Sequence, residues 1–291
     1  MATSVETHLP TDAGAAPSSE PRGGTLRRHA NLTRELAISQ FKLKYTGSVL
    51  GYLWSLFKPL MMFGILYVVF VKLFHIDRGT PNFVIQLLLA IVLFTFFQET
   101  TAAAMNSIAS NGNMIRKAYF PRSILVVAAT LSSLMTFFIN LTLIIIIAGA
   151  LGKLDLGWHS LLAPLFVIEL YMLVLGISLL LSSLFVFYRD LGHIWEIFMQ
   201  LLIYASAVIY PILFVPERFR AWVLGSPVAQ IIQDMRRALV SNEGVKPEQQ
   251  IQWSIHFMGA TYFVPFAIVA ILLGLGFYVF NRLTPRFAEY L

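Results

Sequence analysis

A chain of 291 residues that is 57% apolar and only 12% charged, with a mean hydropathy of +0.73, carries far less charge than the roughly 25% of a soluble domain. It contains no cysteine, which excludes disulfides and thiolate metal sites. The net charge of +6 fits lysines and arginines flanking membrane spans better than a nucleic-acid partner, for which no binding module is present.

Residues 1–24 are rich in Ala, Ser, Thr, Pro and Gly and lack an apolar run, so a disordered tail without a signal peptide is expected. Residues 31–50 are expected to form an amphipathic helix in the membrane interface. Asn31 would be its N-cap, Ile38, Phe41 and Tyr45 its apolar positions, and Arg34, Lys42 and Lys44 its charges. The stretch Lys44–Leu60 (KYTGSVLGYLWSLFKPL) turns this helix into the first span. Small residues Gly47, Ser48 and Gly51 sit at the bend, and Tyr52 and Trp54 mark the headgroup level.

Six spans are predicted in an all-α polytopic membrane protein: Leu53–Phe74, Phe83–Asn106, Ile124–Ala150, Leu161–Phe187, Ile194–Phe214 and Tyr262–Phe280. The first is about 33 Å long as a helix, enough for a hydrocarbon core of about 30 Å. Basic residues gather before the first span, after the second (Arg116, Lys117, Arg122) and after the last (Arg282, Arg286), which predicts cytoplasmic termini.

Two connections read as more than loops. In Ala109–Arg122, Asn113 could cap a short helix with Met114, Ile115, Ala118 and Tyr119 on one face, closed by Pro121. It suits docking to a cytoplasmic partner, or a plain interfacial turn. In Val215–Phe257, Ser226-Pro227 starts a helix whose Val228, Ile231, Ile232, Met235 and Leu239 form an apolar face. Gln230, Gln233, Asp234, Arg236 and Arg237 oppose that face, and Glu217–Leu224 suits a shorter helix before it. These are read as helices at the outer mouth of a pathway, the alternative being a lid without a gating role.

No phosphate-binding loop is present; Gly152-Lys153 lacks both the first glycine and the hydroxyl residue, so ATP hydrolysis by that route is not expected. No H-E-x-x-H occurs and the six histidines are scattered, so no metal site is expected. Charges in or near the spans are Lys58, Glu99, Glu169, Glu196 and Arg189-Asp190. Glu99 and Glu169 are the deepest, Lys58 can reach back to the interface, and Arg189 with Asp190 suits a local ion pair. Phe57, Phe63, Tyr67, Phe70 and Phe74 run through the first span, and Trp195, Phe198, Tyr204 and Tyr210 through the fifth. Singly these rings read as packing; as a set they would suit the faces of sugars.

The Lys44–Leu60 stretch, Arg116-Lys117-Ala118-Tyr119-Phe120-Pro121-Arg122, Phe187-Tyr188-Arg189-Asp190-Leu191-Gly192-His193, Tyr210-Pro211, Ser226-Pro227, Arg236-Arg237-Ala238-Leu239 and Pro285-Arg286-Phe287-Ala288-Glu289 occur in order across Asn31–Leu291. In these the chain resembles the permease subunits of polysaccharide-exporting ABC transporters, which serve O-antigen, capsule, teichoic-acid and galactan export. The resemblance implies a homodimer in the bacterial inner membrane, paired with two copies of a separate ATPase that holds ATP and Mg²⁺. It implies a coupling helix over 113–120, with Asn113, Met114, Ile115, Arg116, Lys117, Tyr119 and Phe120 seated on the ATPase. It also implies gate helices over 217–240, with Pro211, Arg218, Pro227, Arg236 and Arg237 at the gate. Phe63, Tyr67, Phe70, Tyr204 and Tyr210 would line a channel for a polyprenyl-diphosphate-linked glycan. Lys58, where the family often has a neutral amide, and Ala205-Ser206-Ala207, where a proline is usual, are departures. An exporter of drugs or small lipids with the same fold, or a polytopic membrane enzyme, are the competing readings.

Overall fold

The computed structural model describes residues 22–46, 51, 53–75, 80, 82–117, 120–155 and 157–290. Helix α1 (Arg22–Tyr45) is followed by α2 (Leu53–Tyr67), which loosens into a π-helical end at Val68–Leu73. Next come α3 (Phe83–Ser110), the short α4 (Gly112–Lys117) and α5 (Ser123–Ala150). Then α6 (Ala163–Phe185), α7 (Leu191–Ala205), α8 (Glu217–Leu224) and α9 (Pro227–Leu239) follow. The chain closes with α10 (Ser254–Met258), α11 (Val264–Leu283) and α12 (Phe287–Tyr290).

Five segments are long and apolar enough to cross a membrane among the described residues: Leu53–Leu73, Phe83–Ser110, Ser123–Ala150, Trp158–Phe185 and Ser254–Arg286. The chain is a multi-pass, all-helical membrane protein. Helix α3 is its centre: 78% of its most apolar stretch is buried, against 11% for α2, so α2 keeps most of its apolar surface open. Phe94, Phe96 and Phe97 of α3 join Phe137 of α5, Leu170 and Val174 of α6, and Ile231 and Met235 of α9 in one core. Helices α6 and α11 cross at Gly176 and Gly276, where a Cβ on Gly176 would stand 2.7 Å from the backbone of Leu273. Small residues permit such an approach of two backbones in a membrane.

Two expectations change. The helix expected over 31–50 runs from Arg22 to Tyr45, so Asn31 sits inside it instead of capping it. Residues 1–21 of the expected tail, and residues 47–50 and 52 of the bend, lie outside the described residues. The apolar run Ile194–Phe214 is not one helix: α7 stops at Ala205, about 22 Å after it starts. Ser206–Tyr210 then turn, with Ala207 at φ 51°, and Pro211 begins an extended step. Pro211 has no N–H for a helical ladder and disfavours the α conformation at Tyr210, so hydropathy continues where the helix cannot.

Candidate functional site

At one end of the bundle, α4 joins α3 to α5. Asn111 is the hinge: its carbonyl accepts from the Met114 and Ile115 N–H groups at 3.0 and 3.1 Å, and its amide donates to the Ser107 carbonyl at 2.8 Å. The helix therefore starts before Asn113, which lies in its first turn and not at a cap. Met114 and Ile115 do not share a face. Ile115 is buried with Ala104, Ile108 and Leu125, and Phe120 packs half-buried on the same cluster. Asn113 and Met114 are exposed. Tyr119 lies outside the described residues, as do the side chains of Arg116 and Lys117.

Near this end, Glu99 of α3 accepts from Lys58 of α2 at 2.8 Å and from Lys44 of α1 at 3.5 Å. Two lysines converge on one carboxylate where three helices meet. Lys58 thus reaches across to α3. Arg189 stacks on the Phe185 ring at 5.3 Å and, among the described residues, forms no ion pair with Asp190.

At the other end, the turn after α7 leads into α8 and then α9. Ser226 stands at the cap position of α9 with an extended backbone, although its side chain makes no cap bond, and Pro227 is buried as the first helical residue. The helix has no solvated face. Gln230, Gln233, Asp234 and Arg236 are all buried, contrary to the expected polar side. Asp234 accepts from the Ser254 N–H and hydroxyl at 2.7 and 2.6 Å, the Gln230 amide at 2.8 Å and the Tyr262 hydroxyl at 3.4 Å. Burial pushes its carboxyl above the ordinary value while these bonds pull the other way.

Arg236, 1% exposed, donates to the carbonyls of Gln86 at 3.2 Å and Val208 at 2.7 Å, and so ties α9 to α3 and to the turn after α7. Burial draws its guanidinium down to about 10. Arg237 pairs with Asp155 at 3.2 Å and lies over the Trp253 ring. Pro211 is buried, whereas Arg218 is exposed and lies over its neighbour Phe219. Glu169 of α6 is 5% exposed and neither carboxylate oxygen finds a hydrogen-bond partner among the described residues; the amide oxygen of Gln230 beside it is orphaned too.

The expected channel rings fall into two groups. Phe63, Tyr67 and Phe70 are half-buried along α2, with Phe63 and Tyr67 5.9 Å apart and Phe70 6.4 Å from Phe83 of α3. Tyr204 is exposed at the end of α7, and its carbonyl accepts from the Tyr210 hydroxyl at 2.7 Å. The first group packs on α3 and the second closes the turn.

Residues 31–240 match the family described as ABC-2 type transporter, a stretch that runs from α1 through α9 and contains both the α4 connection and the segment from α7 to α9. The chain belongs to the ABC-2 type transporter family. Among relatives of this ABC-2 protein, the O-antigen export system permease protein RfbA of Klebsiella pneumoniae is 26% identical over 86% of this chain and 91% of its own. A protein of the same name from Myxococcus xanthus is 26% identical over 64% of this chain and 71% of its own. The polysialic acid transport protein KpsM of Escherichia coli is 21% identical over 84% and 90%.

The charged contacts of this ABC-2 chain that sequence reasoning missed include Lys58–Glu99, Asp234–Ser254, Arg236–Gln86 and Arg237–Asp155. Each joins residues far apart in the chain, so no local spacing could have marked it.

Proposed function

We propose that this chain is the membrane subunit of an ATP-driven exporter that moves a polyprenyl-diphosphate-linked polysaccharide across the bacterial inner membrane. The observation that carries this reading is the likeness, over most of both chains, to permeases named for O-antigen export and polysialic acid transport. The geometry of α4 supports a separate motor. Ile115 anchors the helix in the bundle while Asn113 and Met114 face outward, so a rigid knob is offered to a partner. That partner is an ATPase, present twice and carrying ATP and Mg²⁺, and α4 is its coupling helix.

The channel is formed by two copies of the chain. Helix α2 exposes Trp54, Phe57, Met61 and Ile65, and α7 exposes Ile194, Ile197, Phe198 and Leu201. These two open faces meet across the dimer, with α7 serving as the fifth of six membrane elements and both termini cytoplasmic. The re-entrant α8 and α9 close the outer side. Lys44 and Lys58, sharing one glutamate, supply positive charge to a diphosphate at the entrance.

Co-purification with the ATPase in lipid nanodiscs, followed by turnover with and without polyprenyl-diphosphate glycan, tests this. Stable assembly with turnover changed by the glycolipid is expected. Turnover that responds only to small amphiphiles would replace this reading with a drug or lipid exporter.

A further inference from the structure

Between α1 and α5 lies a groove of about 430 Å³. Ala30, Thr33 and Ala37 form one wall, and Leu131, Leu134 and Phe138 the other. A single charged side chain stands on it: Arg34, exposed and without a hydrogen bond or ion pair among the described residues.

The groove's depth in the membrane follows from its neighbours. Ser133 and Thr136, on the same two turns of α5, line a polar cleft with Ser55 and Glu99. Glu99 is where Lys44 and Lys58 converge, and Trp54 is exposed one residue before Ser55. Lysines and an exposed indole at one level are the mark of the lipid headgroup zone. Further along α5, Phe138, Ile139, Ile145 and Ile146 stay exposed and apolar, as hydrocarbon contact requires. Arg34 therefore sits at headgroup level, on a slot that continues into an apolar surface. The rest of α1 adds Arg22, Arg27, Arg28, Lys42 and Lys44, with Glu35 as its only acid.

We propose that this groove holds one anionic glycerophospholipid, its phosphate on the Arg34 guanidinium and one acyl chain against Leu134 and Phe138. The lipid belongs to the leaflet in which α1 lies. A guanidinium with no partner among the described residues, set beside hydrocarbon, is costly, and a phosphate removes that cost with paired, charge-assisted bonds. A helix from a second copy would bury Arg34 and would need a carboxylate at the same place. The site is independent of which cargo the protein moves.

The test uses the full chain in nanodiscs of phosphatidylcholine doped with photoactivatable phosphatidylglycerol or photoactivatable phosphatidylcholine, with labelled peptides mapped. The phosphatidylglycerol probe is expected to label 30–37 and 131–138 preferentially. Arg34→Gln should cut that preference about fivefold, Arg34→Lys should keep most of it, and Arg28→Gln should leave it intact. Leu134→Trp fills the slot and should remove the label while Arg34 remains. Equal labelling by both probes, labelling indifferent to Arg34→Gln and Leu134→Trp, or protein–protein crosslinks across the groove would each overturn the proposal. Arg34 is exposed, so its variants fold as the wild type does, which monodisperse elution verifies.

Discussion

Asp234 accepts four hydrogen bonds while Glu169, beside it on α6, meets the distance for none among the described residues, so the two buried carboxylates are expected to respond oppositely when neutralised. Glu169→Gln replaces an uncompensated acceptor with a group whose N–H can serve the orphaned oxygen of Gln230. It is expected to raise stability by the worth of one buried hydrogen bond, about 1 kcal/mol, read as a higher thermal unfolding midpoint in detergent. Asp234→Ala strands the Ser254 and Gln230 donors and should cost at least about 2 kcal/mol of stability, read as a lower midpoint, since each buried donor left unmade costs about 1–3 kcal/mol. Equal midpoints for the two variants would show that the surroundings of the two carboxylates are alike, against the geometry. At the lysines the expectation is different. Lys58 is well exposed, so its pair with Glu99 contributes at most about 1 kcal/mol to stability, and Lys58→Ala should leave the midpoint nearly unchanged.

Helix packing brings its own test at the α6–α11 crossing. Gly176→Ala places a methyl 2.7 Å from the Leu273 backbone, and neither backbone can give way without separating the helices. A loss of about 1–3 kcal/mol is expected, the range for overpacking, measured as a lower unfolding midpoint. Gly274→Ala, which meets nothing within 4 Å, should be neutral or slightly stabilising. The same scale shows what could be read from the chain alone. Span positions were legible because apolar runs are long and their ends carry charge. Ser226-Pro227 gave away the start of α9 through the fixed geometry of proline at a first turn. The end of α7 was signalled by Pro211 but hidden by the apolar Ala207-Val208-Ile209 before it. Burial of both sides of α9 was not legible at all. Alternating polar and apolar residues imply a face toward water, and only the fold brings Ser254, Tyr262, Gln86 and Val208 to satisfy the polar side. Likewise Met114 and Ile115 look interchangeable as neighbours on a short helix, and only packing on Ile108 and Leu125 tells the anchor from the outward residue.

That distinction matters for the whole assembly. Met114→Asp alters an exposed position and should keep the monodisperse, folded protein while reducing co-purification of the ATPase at least tenfold. Ile115→Asp buries an unpaired charge and should cost about 4 kcal/mol or more, so it fails at expression instead of at partner binding. If Met114→Asp leaves the complex intact, α4 is not the contact. The tie made by Arg236 has a consequence for how the molecule is made. A helix bearing Gln230, Gln233, Asp234 and Arg236 is too polar to enter a bilayer alone, yet it ends up enclosed. Its acceptors on Gln86 and Val208 are synthesised earlier, whereas Ser254 and Tyr262, which complete the bonds to Asp234, emerge later. Biogenesis is therefore expected to run in a set sequence: α9 first berths on a scaffold already threaded into the bilayer, and the last span then locks it from behind.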